Sequence, residues 1–295
     1  MKVKSFENKC VYIFGASEGI GFALAEEFLL LGAHVVIFSR SAKKLDTAKK
    51  MLFKETKCST QDLQAISLDV TSFSQVKKIL FSTVKNEGIP DIIINNVGRA
   101  IPAYFEKISE KQFRETIEIN VMTSYHTLSV LLPLMKKKGG YVVNVSSMLG
   151  FMGMIGYADY AAAKFGIIGL TEALRNEYRS QNIGFSVLCP PDTLTPGFER
   201  ENKTKPYETE AVSESIKPVT AQAVARSCLQ GIKKGKFLIN TSFLAKLTWF
   251  IKQHFPGLIF SIIDGDVKKA LQKRQRSNDG RKGAHSTTGK NKKGS

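Results

Sequence analysis

Tyr160 and Lys164 stand four residues apart in the stretch SMLGFMGMIGYADYAAAK, residues 147–164. In a helix, that spacing puts both side chains on one face. A tyrosine hydroxyl, with an ordinary pKa of about 10, exchanges protons poorly near neutrality. A neighbouring ammonium favours the tyrosinate and lowers that value. The pair therefore suits proton exchange with a carbonyl or alcohol oxygen. Ser147, upstream in the same stretch, can hydrogen-bond the same oxygen. Alone, this spacing also describes an ordinary exposed helix face, so the surrounding elements must decide.

Residues 10–14, CVYIF, form an apolar run of buried-strand type. Gly15-Ala16-Ser17-Glu18-Gly19-Ile20-Gly21 follows, and then a helical period that ends at Gly32. Strand, glycine turn and helix in that order make a dinucleotide-binding loop. Gly15 permits the tight turn, Gly19 lets backbone approach a pyrophosphate, and Gly21 lets helix and strand pack closely. The helix N-terminus offers free N–H groups and a positive dipole end. Residues 34–38 form the second strand, followed by Ser39-Arg40-Ser41 with Lys43 and Lys44. An acidic residue there would bind a ribose 2′-hydroxyl and repel a 2′-phosphate. Arg40 instead pairs with phosphate, with Lys44 nearby, which predicts NADPH over NADH.

A third strand is expected at 65–70. Asp69 at its end either accepts from an adenine amino group or caps the next helix. Residues 91–94 form a fourth strand, with Asn95-Asn96-Val97-Gly98 at its C-terminal end, where open α/β sheets place their ligands. Asn95 and Gly98 suit a tight backbone passage beside a cofactor. Residues 110–135 are largely helical. Asn120 is polar within them and, on sequence alone, satisfies neighbouring backbone. Gly139-Gly140 leads into a fifth strand at 141–145, which ends at Ser146-Ser147. The tyrosine–lysine motif therefore lies at the ligand-bearing edge, in the first turns of a helix over 157–179. A sixth strand follows at 185–188.

With 295 residues the chain has room for one large α/β domain and an appendage. Cys10, Cys58, Cys189 and Cys228 are widely spaced, which reads as reduced thiols in a cytosol-facing protein. No metal-ligand spacing is present, so no metal site is expected. No signal peptide opens the sequence, and no uninterrupted apolar run has membrane-spanning length. The formal net charge is +17, much of it near the C-terminus. Residues 242–263 are greasy, interrupted by Lys246, Lys252, Gln253 and His254, and broken at Pro256-Gly257. The first half reads as an amphipathic interfacial helix, with Trp249 at the headgroup boundary, or else as a helix pair covering a core or an oligomer contact. Basic residues across 268–293 add attraction to anionic lipid. Without aromatic interleaving they do not predict nucleic-acid binding. Residues 277–295 are expected to be disordered.

Taken together, G-A-S-E-G-I-G, L-D-V, N-N-V-G, Asn120, the paired serines and Y-A-A-A-K resemble the short-chain dehydrogenase/reductase family over about residues 6–240. The resemblance implies an α/β Rossmann-type doubly wound parallel sheet of about seven strands, with helices on both faces. It implies Tyr160 as general acid/base, Lys164 on the nicotinamide ribose, Ser147 polarising the substrate oxygen and Asn120 in a water-linked proton relay. Gly15, Ser17, Ile20, Asp69, Asn96 and Val97 would line the cofactor. Phe14 departs from the family's threonine, which removes a loop-bracing hydroxyl. Val97 replaces a common alanine and Pro191 a common glycine.

The string CPPDTLTPGFERENKTKPYET, residues 189–209, is similar to the branch of the family that reduces long-chain 3-keto sphingoid bases with NADPH. Pro190 and Pro191 stiffen the strand exit. In the family, the positions of Thr193 and Thr195 contact the nicotinamide carboxamide, and 195–220 suit a substrate lid. The expected organisation is a cofactor-binding catalytic domain over 1–240, a membrane-associating segment over 241–270 and a basic tail over 271–295. By the same resemblance the setting is the cytosolic face of the endoplasmic reticulum, with a homo-oligomer allowed. The competing readings are a reductase of another lipid or steroid ketone, and a non-catalytic nucleotide-sensing scaffold at a membrane.

Overall fold

The computed structural model describes residues 1–213 and 217–287, with backbone alone beyond 275. In chain order the elements are β1 (Cys10–Phe14), α1 (Gly19–Leu30), β2 (His34–Ser39), α2 (Ala42–Thr56), β3 (Leu63–Ser67) and α3 (Phe73–Glu87). Then come β4 (Ile92–Asn95), α4 (Glu110–Ile117), α5 (Thr123–Met135), β5 (Gly140–Val145), α6 (Ala158–Glu177) and β6 (Ile183–Cys189). Short β7 (Thr193–Leu194), α7 (Pro196–Asn202), α8 (Tyr207–Ser213) and β8 (Val219–Thr220) follow. The chain closes with α9 (Ala221–Lys234), β9 (Leu238–Asn240), α10 (Phe243–His254) and α11 (Pro256–Thr287).

Seven strands form one parallel sheet in the order β3-β2-β1-β4-β5-β6-β9. The progression of the chain across the sheet reverses between β1 and β4, with all strands parallel, which opens a crevice at their C-terminal ends. Alternating side chains feed two cores. Val11, Ile13, Val35, Ile37, Ile92 and Ile94 bury against α1 and α9. Tyr12, Phe14, Val36, Phe38, Ile93 and Val142 bury on the other face, with α3 and α5. Both faces are covered, so the strands read as continuous apolar runs rather than as an alternation.

The third strand begins and ends earlier than the sequence suggests, at Leu63–Ser67. Asp69 has left the sheet: its Oδ1 accepts from the Thr71 N–H (3.0 Å) and hydroxyl (2.7 Å), which closes a local turn. It does not cap α3, whose N-cap is Ser72.

The described part of the segment expected to be a lid contains two short helices, α7 and α8. β7 and β8 tie its ends together, pairing Thr193 with Val219. The C-terminal segment breaks at Pro256, as expected. Trp249, expected at a headgroup boundary, instead packs edge-on against Phe151 with centroids 5.2 Å apart. The reason is helical phase: Trp249 shares the inward side of α10 with fully buried Ala245, whereas Phe243, Leu247 and Phe250 face out. The basic stretch from 271, expected to be a disordered tail, continues as helix to Thr287, in keeping with its Lys, Arg and Gln content. Residues 288–295 lie outside the described residues. Among the described residues no helix is long and apolar enough to cross a membrane.

Candidate active site

The start of α6 is fixed by Asp159, which is buried. Its Oδ2 accepts from the Thr116 hydroxyl of α4 (2.7 Å), and its Oδ1 accepts from the Tyr160 N–H (2.8 Å). This anchors the turn that presents Tyr160 and, one turn on, Lys164. The Lys164 ammonium is buried and donates to the Val145 carbonyl at the end of β5 (3.0 Å). It lies 5.5 Å from the centre of the Tyr160 ring. Ser147 follows β5 and hydrogen-bonds the Tyr160 side chain. Its hydroxyl also accepts from the Leu149 N–H (3.1 Å). Serine, tyrosine and lysine thus converge at the edge of β5, as their spacing implied.

Asn120 sits in a single π-helical turn, Glu118–Met122, between α4 and α5. Such turns inside helices often mark functional sites. Its amide donates to the Arg99 carbonyl (2.9 Å) and the Thr116 carbonyl (3.0 Å), and its oxygen accepts from the Arg99 N–H (3.3 Å). Gly98 is wedged beside it. A Cβ there would come within 2.6 Å of Asn120 Oδ1 and 3.0 Å of Lys164 Nζ. Only a glycine lets the amide oxygen and the ammonium share this corner.

Electrostatics correct one expectation. Burial first, then the field of Glu201, raises the Tyr160 hydroxyl above its ordinary value, and the Ser147 hydrogen bond only partly offsets them. Lys164 is not among the leading influences on the hydroxyl; its ammonium donates to the Val145 carbonyl. Burial in turn pushes Lys164 down to about 8, against a smaller upward pull from Cys189. Cys189, at the end of β6, is itself pushed up to about 12 by burial.

The glycine loop lies at the opposite side of the crevice. Gly15 has φ +81°, and a Cβ there would meet Val97 at 3.0 Å. The loop loses no bracing through Phe14, which stacks on Phe38 with centroids 4.6 Å apart. Asn96 Nδ2 supplies the brace by donating to the Gly15 carbonyl (2.8 Å), and the Gly15 N–H donates to the Phe38 carbonyl (2.8 Å). Gly19, at φ +62°, stands against Thr195, and Gly21 has no room for a side chain beside the Gly15 carbonyl. Ile20 packs on the core beneath, and Ser17 donates to Ser39 (3.0 Å). Glu18, the residue before α1, makes no side-chain cap, so the first N–H groups of that helix are left for a ligand. A bound dinucleotide fits this cradle of small residues and free amides.

Arg40 is exposed just past β2. Lys44 reaches back to Glu18 (2.7 Å), which Arg200 of the lid also contacts. Burial works against the Glu18 carboxylate, but those two hydrogen bonds outweigh it and lower its value. Thr195 caps α7 by accepting from the Phe198 N–H (3.1 Å). Thr193 donates to the Pro191 carbonyl (2.7 Å), and the Pro190 carbonyl accepts from the Met148 N–H (3.0 Å). The proline–threonine loop is thereby fastened beside Ser147. Asn95 serves the scaffold: it donates to Asn144 (2.8 Å) and accepts from Thr127 (2.8 Å) within the core.

Four residues of the site escaped sequence reasoning. Tyr157, the residue before α6, donates to Glu201 of the lid (2.5 Å). Lys205 lies 3.7 Å from Asp192, with its side chain almost wholly buried. Burial is the leading influence on both carboxyls and raises them, against Tyr157 and Lys205 for Glu201 and Lys205 for Asp192. Their fields act on Tyr160. The charged string after Pro191 reads as a lid, but nothing in it announces contact with a tyrosine 44 positions upstream.

A parallel sheet with a glycine cradle at its switch point and a serine–tyrosine–lysine corner facing it defines a dinucleotide-dependent oxidoreductase. The short chain dehydrogenase family model matches residues 9–206, and the chain belongs to that family. Among curated proteins it is 36% identical over 273 residues to a 3-ketodihydrosphingosine reductase of Dictyostelium discoideum, covering 88% of this chain and 82% of that protein. It is 34% identical over 229 residues to the bovine (Bos taurus) 3-ketodihydrosphingosine reductase, covering 77% and 69%. Among solved structures, a short-chain dehydrogenase/reductase from Burkholderia phymatum in complex with NAD superposes with a TM-score of 0.75 at 22% identity, covering 87% of this chain and 96% of that one. That last likeness concerns the fold.

Proposed function

We propose that this protein reduces the ketone of a long-chain 3-keto sphingoid base, 3-ketosphinganine, to sphinganine, with NADPH as reductant. The 36% identity with the Dictyostelium reductase, extending over 88% of the chain, carries this reading. A nicotinamide dinucleotide, when bound, supplies the hydride. Ser147 hydrogen-bonds the ketone oxygen and holds it against Tyr160. The Tyr160 hydroxyl, neutral at pH 7, donates the proton as charge develops on that oxygen. Lys164, protonated at pH 7, stabilises the tyrosinate left behind, and Asn120 fixes the corner through which the proton is replaced. A panel of 3-keto sphingoid bases, 3-oxoacyl thioesters and ketosteroids tests the substrate class. Faster turnover of a ketosteroid than of any keto base would overturn it.

NADPH is favoured by Arg40, exposed where a 2′-phosphate would lie, with no carboxylate directly after β2. Arg40→Asp is expected to lower the NADPH-to-NADH ratio of kcat/KM by at least tenfold. An unchanged ratio contradicts the assignment.

The setting we propose is a membrane surface, the cytosolic face of the endoplasmic reticulum. Phe243 (80% exposed), Phe250 (52%), Phe255 (59%) and Phe260 (53%) point outward from α10 and the start of α11. Exposed aromatic surface on this scale suits the headgroup layer, flanked by basic residues that attract anionic lipid. The protein should float with anionic liposomes. A variant with Phe243, Phe250 and Phe260 all changed to Glu should remain in the dense fraction, and equal flotation of the two would contradict membrane docking.

A further inference from the structure

Between the loop at 153–155 and α11 lies an open recess of about 420 Å³. Its walls are aliphatic: Met154 and Ile155 from the loop, Ile263, Val267 and Leu271 from the helix. Asp264 and Lys268 are the charged residues at its border. Gly153 adds no side chain to fill it.

The floor of the recess is joined along the chain to the catalytic corner. This floor, Met154-Ile155, runs through Gly156 directly into Tyr157 and Tyr160. The lid holds this floor, since Thr209 of α8 donates to the Ile155 carbonyl (2.9 Å). The lid also holds the far wall. Arg274 of α11 donates to Glu208 of α8 (2.9 Å), and Tyr104 donates to the same carboxylate. Glu208 is almost fully buried, so this contact is a fixed strut rather than a loose surface pair. The outward Phe260 lies on the first turns of the helix that forms the wall, and the outward Phe255 directly precedes that helix.

We propose that this recess binds the hydrocarbon chain of the substrate, a single unbranched alkyl chain, as it leaves the catalytic corner. The inference rests on the keto-base reading above and names the part of the substrate that reading leaves unplaced. With its ketone at Tyr160, a long-chain base must lay its tail along an apolar surface or leave it in water. Each methylene moved from water adds to the binding. The aliphatic walls offer burial without hydrogen-bond partners, which matches a hydrocarbon and gives a polar head nothing to hold.

Two measurements on the full chain test this. The first compares kcat/KM for the 18-carbon 3-keto base and for an 8-carbon 2-amino-3-ketone with the same head. Val267→Glu, and separately Leu271→Gln, should lower the long-to-short ratio at least tenfold. Both side chains are partly solvent-exposed, so the fold tolerates the changes. A ratio within twofold of the unmodified protein's in both variants overturns the proposal. The second measurement needs no turnover. Trp249, the single tryptophan, shares an apolar cluster with Met154 and Ile263. A 12-bromododecylamine probe should quench its fluorescence saturably, and Val267→Glu should weaken that binding at least tenfold. Absent or unsaturable quenching, or equal quenching in the variant, overturns the recess assignment. If the unmodified protein reduces neither ketone, the substrate reading fails, and the quenching result alone decides the recess.

Discussion

Tyr160→Phe should lower kcat for ketone reduction by about 10²–10⁴-fold, the range for loss of a general acid, with dinucleotide affinity changed much less. The substitution removes one oxygen and leaves the ring that packs beside Lys164 and Tyr157. Loss of rate then isolates the proton. The hydroxyl is neutral at pH 7, the form that donates. Steady-state rates of the variant, with dinucleotide binding followed by fluorescence, check this. Full turnover by the phenylalanine variant would remove Tyr160 from the chemistry.

Lys164→Met should lower kcat/KM by about 10²-fold or more while raising thermal stability, an unusual pairing. The ammonium is buried, and its value falls from an ordinary 10.5 to about 8. Below pH 8 the lysine is charged in both the folded and unfolded chain, and the full cost of burial, on the order of 3 kcal/mol, is present. Between pH 8 and 10.5 the unfolded chain binds a proton that the folded chain has released, so stability rises with pH. Above 10.5 the cost is gone. Methionine fills similar volume without charge, though the Val145 carbonyl loses a donor worth about 1 kcal/mol. Calorimetry at pH 7 should place the variant's Tm about 3–6 °C above the parent's, with the gap closing as pH rises toward 10.5. In the parent, reduction should fall as pH passes about 8 and the ammonium is lost. A less stable variant at pH 7 with no pH-dependent gap would contradict the buried charge.

Much of the sheet was legible because its strands are short apolar runs punctuated by glycine and polar residues. The cradle of Gly15, Gly19 and Gly21 could be read for a similar reason: each glycine answers a steric demand that the sequence order already implies. Asp69 was not resolved by sequence, since a hydrogen bond to Thr71 two residues on competes with both roles considered for it. The π-helical turn at Asn120 was invisible because one extra residue in a turn barely alters an apolar period. Glu201 and Asp192 were hidden for a different reason. Their effect on Tyr160 depends on how a lid folds back, and no local pattern encodes that contact. Trp249 shows the limit of composition: an aromatic in a greasy, basic segment suits an interface, yet helical phase turned it onto Phe151.

The most direct test incubates the purified full chain with 3-ketosphinganine and NADPH carrying deuterium at the transferable position of C4. Mass spectrometry should find sphinganine with one deuterium at C3, formed one for one with cofactor oxidised. If the protein binds the dinucleotide but forms no labelled sphinganine, the proposed reaction is wrong.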